Sequence, residues 1–143
     1  MGTPYDTDIV AWADEQAELL RGRRWSALDI ENIAEEIADV GKSVQRELSS
    51  RVAVLLAHLL KWKYQPQLRS KSWLATVAVQ RRAIARKLDR IPSLKRSYFD
   101  EEWLEEAWDD AVSMAIGETG LHEFPEVPLW TASQVLDPNF FPD

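Results

Sequence analysis

The chain has 143 residues, 45% of them hydrophobic and 29% charged, with a formal net charge of −7. That length and composition suit one globular domain, residues 1–143, with a sizeable core. The absence of cysteine excludes disulfides, thiolate metal sites and a cysteine nucleophile. No basic, apolar leader opens the chain, and no apolar run approaches the roughly 20 residues that cross a bilayer, so a cytoplasmic protein with no membrane partner is expected.

In chain order, helix signals dominate. Thr3 as N-cap, Pro4 behind it and Asp6 three residues after the cap predict a start. Ile9, Trp12, Ala13, Gln16, Leu19 and Leu20 follow helical spacing up to Gly22, so the first helix is expected over residues 4–21. Ser26 reads as the next cap, with Trp25 placed to staple onto Ile30. A long apolar stripe follows: Ile30, Ile33, Ile37, Val40, Val44, Leu48, Val52, Leu55, Leu59 and Trp62, uninterrupted by proline until Pro66. It predicts one helix over residues 27–64, about 57 Å long, with Gly41 as the point where it would bend or break.

After a loop around Pro66, the residues Trp73, Val77, Gln80, Ile84 and Leu88 mark a third helix that ends by Pro92. A short turn or helical piece follows. The acids Asp100, Glu101 and Glu102 then suit the positive end of a fourth helix, which Gly120 closes. The tail, residues 121–143, carries Pro125, Pro128, Pro138 and Pro142, and a capping box at Thr131 and Gln134. Its large apolar side chains predict that it wraps on the helices. The expected fold is all-α: an antiparallel helical bundle of about four main helices, one very long, with a proline-rich tail packed on it.

Charge is segregated. Residues 1–40 hold ten acids and three bases, residues 41–96 two acids and fourteen bases, and residues 97–143 twelve acids and no base. Mutual neutralisation inside the fold is the first expectation, and a basic face kept for a polyanion the second.

The chemical constellations are sparse. Gly41-Lys42-Ser43 lacks the earlier glycine of a phosphate loop, because Glu36 stands in its place, and no strand precedes it. Glu31, Glu35 and Asp39 share a helix face but meet no histidine motif of a metal-binding bundle. Neither a metal nor another cofactor is therefore expected. His58 lies beside the apolar stripe with no nucleophile at a recognisable spacing. Gln16 and Gln80 fall on apolar stripes, and buried amides need partners. His58, Gln65, Arg69, Arg81 and Glu36 are available, which suggests a polar network among Trp12, Trp62 and Trp73. Lys61, Lys63, Arg69 and Lys71 also interleave with Trp62, Tyr64 and Trp73, a mixture that holds single-stranded nucleic acid.

Those residues carry a resemblance. The string from Asp29 to Arg82, with its segment "HLLKWKYQPQLRSKSW", together with "ETGL" and "FPEVPLWTASQVLDPNFFP", resembles the bacterial family called domain of unknown function 29 from Tyr5 onward. The resemblance implies a small all-helical protein and brings no catalytic role or ligand with it.

The reading that results is a non-catalytic protein-interaction module, its partner itself or another protein. Its alternatives are nucleic-acid binding through residues 61–90 and an enzyme with a pocket around His58. The candidate network or binding residues are Glu36, His58, Trp62, Tyr64, Gln65, Arg69, Trp73, Gln80 and Arg81.

Overall fold

A computed structural model describes residues 2–143. The described residues form an all-α helical bundle. Its helices are α1 (Ile9–Arg21), α2 (Ile30–Tyr64), α3 (Lys71–Arg90), α4 (Ser93–Tyr98), α5 (Glu101–Thr119) and α6 (Ala132–Leu136), with 3-10 turns at Trp25–Ala27 and Pro66–Leu68. The chain divides into two compact units, Met1–Val44 and Gln45–Asp143.

In the first unit, α1 begins five residues later than its sequence signals suggest. Asp8 caps it, its side chain accepting from the Ala11 N–H. Thr3 is occupied elsewhere: its N–H and its hydroxyl both donate to the Glu15 carboxylate, each at 2.6 Å. At the other end Gly22 is the C-cap in a right-handed conformation, and the next residue, Arg23, takes the left-handed one (φ 55°). The Arg23 N–H reaches Leu20 O and the Arg24 N–H reaches Leu19 O, a Schellman closure displaced one residue beyond the glycine.

The start of α2 is also corrected. Ser26 lies in a 3-10 turn, and Asp29 takes the capping role, its carboxylate accepting from the Asn32 side chain (2.8 Å) and backbone N–H (3.5 Å). Trp25 and Ile30 are 59% and 67% exposed, so no staple closes there. The helix then runs 35 residues without interruption through Gly41. A Cβ added at Gly41 would meet nothing within 4 Å. Gly41→Ala is therefore expected to raise stability by about 1 kcal/mol, through the lower backbone entropy of the unfolded chain; a urea titration followed by circular dichroism checks it.

The second unit holds most of the core. The apolar stripe of α2 is buried from Leu48 to Leu60, with Val52, Leu55, Leu56, Leu59 and Leu60 at 0% exposure. Glu47 pairs with Lys87 and Arg51 meets Gln80, so α3 returns antiparallel along this half of α2. Ser70 caps α3 by accepting from the Trp73 N–H. Asp100 caps α5, and Gly120 ends it in the left-handed conformation (φ 75°).

The tail packs as expected. The capping box at Thr131 and Gln134 is complete on both sides, and Phe124, Trp130 and Val135 are buried. Tyr98 donates its hydroxyl to Ala132 O at 2.6 Å, and Trp108 donates its indole N–H to Pro125 O at 2.9 Å.

Candidate functional site

The nine residues singled out in the sequence do not assemble into one network. Most of them meet partners of their own instead. Glu36 belongs to the first unit, where its carboxylate accepts from the Tyr5 hydroxyl. That bond, with burial and the charges of Glu36, Asp39 and Glu35 behind it, pushes the Tyr5 pKa up to about 12. Gln16 accepts from the Asp29 N–H at 2.9 Å, and Trp12 donates its indole N–H to the Asp29 carboxylate at 2.9 Å. The buried amide of α1 thus closes the α1–α2 corner and takes no part with Gln80.

In the second unit, Gln80 accepts from Arg51 at 3.4 Å. Arg69 donates its Nε–H to Trp62 O at 2.8 Å while its guanidinium lies over the Trp62 ring, 4.8 Å from the centroid. This is a local brace across the Pro66 turn. The backbone N–H of Gln65 donates to Lys61 O. Trp62 meets Phe141 of the tail (5.0 Å), and Tyr64 meets Phe124 edge-on (5.1 Å). Arg81 is the exception in reach. It is 4% exposed, and it donates to the tail carbonyls Val135 O (2.8 Å) and Phe140 O (2.7 Å).

Lys61 departs from a lysine's usual place in water. Lys61 is buried instead, its ammonium 2.6 Å from Glu118 and over the Trp73 ring at 5.3 Å. No local spacing announces a partner 57 residues away.

His58 Nδ1 lies 2.9 Å from Val54 O, which places its proton on that nitrogen. Burial lowers the imidazole pKa below its ordinary 6.5, Lys61 adds to this, and the Val54 bond and Glu118 oppose it. The folded state therefore favours neutral His58. The associated stability is present above pH 6.5 and is lost as pH falls through the lowered folded value. Imidazole NMR is expected to show His58 titrating below 6.5.

Neutralisation of the basic middle is partial. Lys61–Glu118 ties it to the acidic C-terminal segment, and Glu47 engages Lys87 and Arg51. Arg82, Arg86 and Arg90, at four-residue spacing along α3, and Lys95 and Arg96 on α4 are exposed.

The surface that the sequence hid lies in the first unit. Ile30, Ile37 and Val40 read as core positions, yet they are 67%, 67% and 66% exposed. Ile37 and Val40, with Leu20, Ala13, Ala17 and Ile33, line one side of the α1–α2 pair, where a groove of about 280 Å³ opens, and helical spacing puts Ile30 on the same stripe. Trp12 and Gln16 are the buried residues of α1, and in α2 burial begins at Leu48, outside this unit. Periodicity identified the apolar face of the helix correctly; it carried no information on whether anything covers it.

Comparison with curated proteins and with solved structures finds no match for this chain. A family model does match, over residues 4–141, and the chain belongs to that family, described as domain of unknown function DUF29.

Proposed function

We propose that this protein is a non-catalytic interaction module that binds another polypeptide through the α1–α2 face of its first unit. The observation that carries the reading is the row of large apolar side chains left in water there, Leu20, Ile37 and Val40 around the groove. Water-exposed apolar patches of this kind mark partner surfaces. The non-catalytic part is supported by the local satisfaction of His58: its Nδ1 is committed to Val54 O, and among the described residues no hydrogen bond joins it to a carboxylate or hydroxyl that would orient a general base.

The test is a photo-crosslinking residue placed at Ile37 in the native cell, with one at Glu35 as control. Capture of polypeptide from position 37 well above the control is expected. Equal capture from both positions overturns the reading.

A second reading has an observation of its own. The exposed arginine row of α3 suits a polyanion. The aromatic half of the single-strand mixture is taken, however, since Trp62 and Trp73 stack on Arg69, Phe141 and Lys61. Binding there would be electrostatic and without stacking. A labelled oligonucleotide that stays free at low salt removes this reading.

A further inference from the structure

From the α1–α2 face we infer that the partner is a second copy of this chain: two first units pair face to face, their α1 and α2 helices completing a four-helix arrangement. The inference rests on the interaction-module reading and names its partner.

Three observations converge on it. The first is incompleteness. A two-helix unit ending at Val44, with Trp12 and Gln16 as the buried residues of α1, is at the size where oligomerisation supplies the missing core. Packing a second helical pair on the first is the simplest way to bury one apolar side of each.

The second is charge placement. The unit is acidic, which at first suggests a cationic partner. Helical spacing puts Asp14 and Glu18 on the opposite side of α1 from Ala13, Gln16 and Leu20, and Glu31 and Glu35 opposite Ile33 and Ile37 on α2. The one carboxylate lining the groove, Glu36, already accepts from the Tyr5 hydroxyl. A cationic helix would find no free anion at the face. An identical uncharged face fits it, and the acids of both copies stay outward.

The third is area. Ile9 and Ile30 extend the two stripes by helical spacing, and they are 47% and 67% exposed. With Leu20, Ile37 and Val40 they make five large side chains. Burying each removes roughly 60–120 Å². The upper end of that range reaches about 600 Å² per copy, the lower limit of a specific interface. The small side chains Ala13 and Ala17 in the groove let the paired helices come close. A two-fold self-complementary contact is also the commonest form of protein oligomer.

Sedimentation equilibrium of the full chain tests the inference. The expected mass at high concentration is twice the 16.4 kDa of the chain. Raising the salt concentration is expected to leave the association equal or stronger, because the contact is apolar and the units share one sign of charge. Ile37→Glu is expected to sediment as a monomer with unchanged helical circular dichroism. The uncharged Ile37→Gln should weaken association at least tenfold, and Glu35→Ala not at all.

The chain contains no cysteine, so Ile37→Cys introduces one thiol. Its labelling by a thiol reagent is expected to slow on dimerisation, at least tenfold relative to Glu35→Cys. A chain that stays monomeric at several hundred micromolar, or a dimer indifferent to Ile37→Glu, overturns the inference. Crosslinks from position 37 to a different protein overturn the second copy and leave the module reading standing. Crosslinks to nothing above the Glu35 control overturn both.

Discussion

Replacing Arg81 by Met is expected to lower the stability of the second unit by about 3 kcal/mol and to release the C-terminal tail. The Arg81 Nε–H and Nη2–H donate to Val135 O and Phe140 O at 2.8 and 2.7 Å. Val135 lies in the last turn of α6, where carbonyls lack helical partners and the dipole favours a cation. Hydrogen bonds from a charged donor contribute about 1.5–3 kcal/mol each. Two therefore contribute more than the net loss expected, because Met also removes a cost. The guanidinium is desolvated, and its Nη1 is buried with no hydrogen-bond partner, so an apolar side chain of similar length recovers part of the loss. Arg81→Lys keeps the charge but cannot reach both carbonyls with a planar fork, and it should restore less than half. Hydrogen exchange at residues 132–140 separates this clamp from a general loss of core packing. Release of the tail raises exchange there first, while amides of α2 from Leu48 on stay protected. Unchanged tail protection in Arg81→Met would show that the clamp is dispensable.

The largest single effect is expected at Trp108. Its side chain is 0% exposed, its ring meets Trp130 at 5.3 Å, and its indole N–H donates to Pro125 O at 2.9 Å. Trp108→Ala removes a large buried ring and leaves a cavity between α5 and the tail, at a cost of about 3–5 kcal/mol. Trp108→Phe keeps much of the apolar contact but leaves Pro125 O without its donor, so about 1–3 kcal/mol is expected from that variant. Circular dichroism is the suitable probe, since the chain holds seven tryptophans whose fluorescence overlaps. If Trp108→Phe unfolds at the same urea concentration as the unsubstituted chain, the indole hydrogen bond contributes nothing and the contact is one of packing alone.

Both residues bear on how far the sequence was readable. Leu104, Ala107, Trp108 and Ala111 follow helical spacing, and all four are buried. Arg81 was singled out beside Gln80 as a candidate for a polar network. Its true partners are backbone carbonyls 54 and 59 residues on, and carbonyls carry no residue identity from which a pairing might be inferred. The same limit hid the Lys61–Glu118 pair. At α1 the local signal points to Thr3 as the cap, yet Asp8 caps the helix while Glu15 claims the Thr3 hydroxyl, a contact made only once the chain folds back.

By itself, the sequence determined the all-α class, one long α2, the acidic start of α5 at Asp100, the Gly120 stop and the Thr131–Gln134 box. These are set by interactions within about one turn of helix, where spacing in the chain equals spacing in space. Only the tertiary structure decided which part of one continuous apolar stripe is buried. From Leu48 to Leu60 it vanishes from water, while Ile30, Ile37 and Val40 stay exposed. Periodicity measures the direction in which a side chain points from its own helix axis. Burial depends on what other surface arrives there, and for the α1–α2 face that surface is the one assigned to a second copy of the chain.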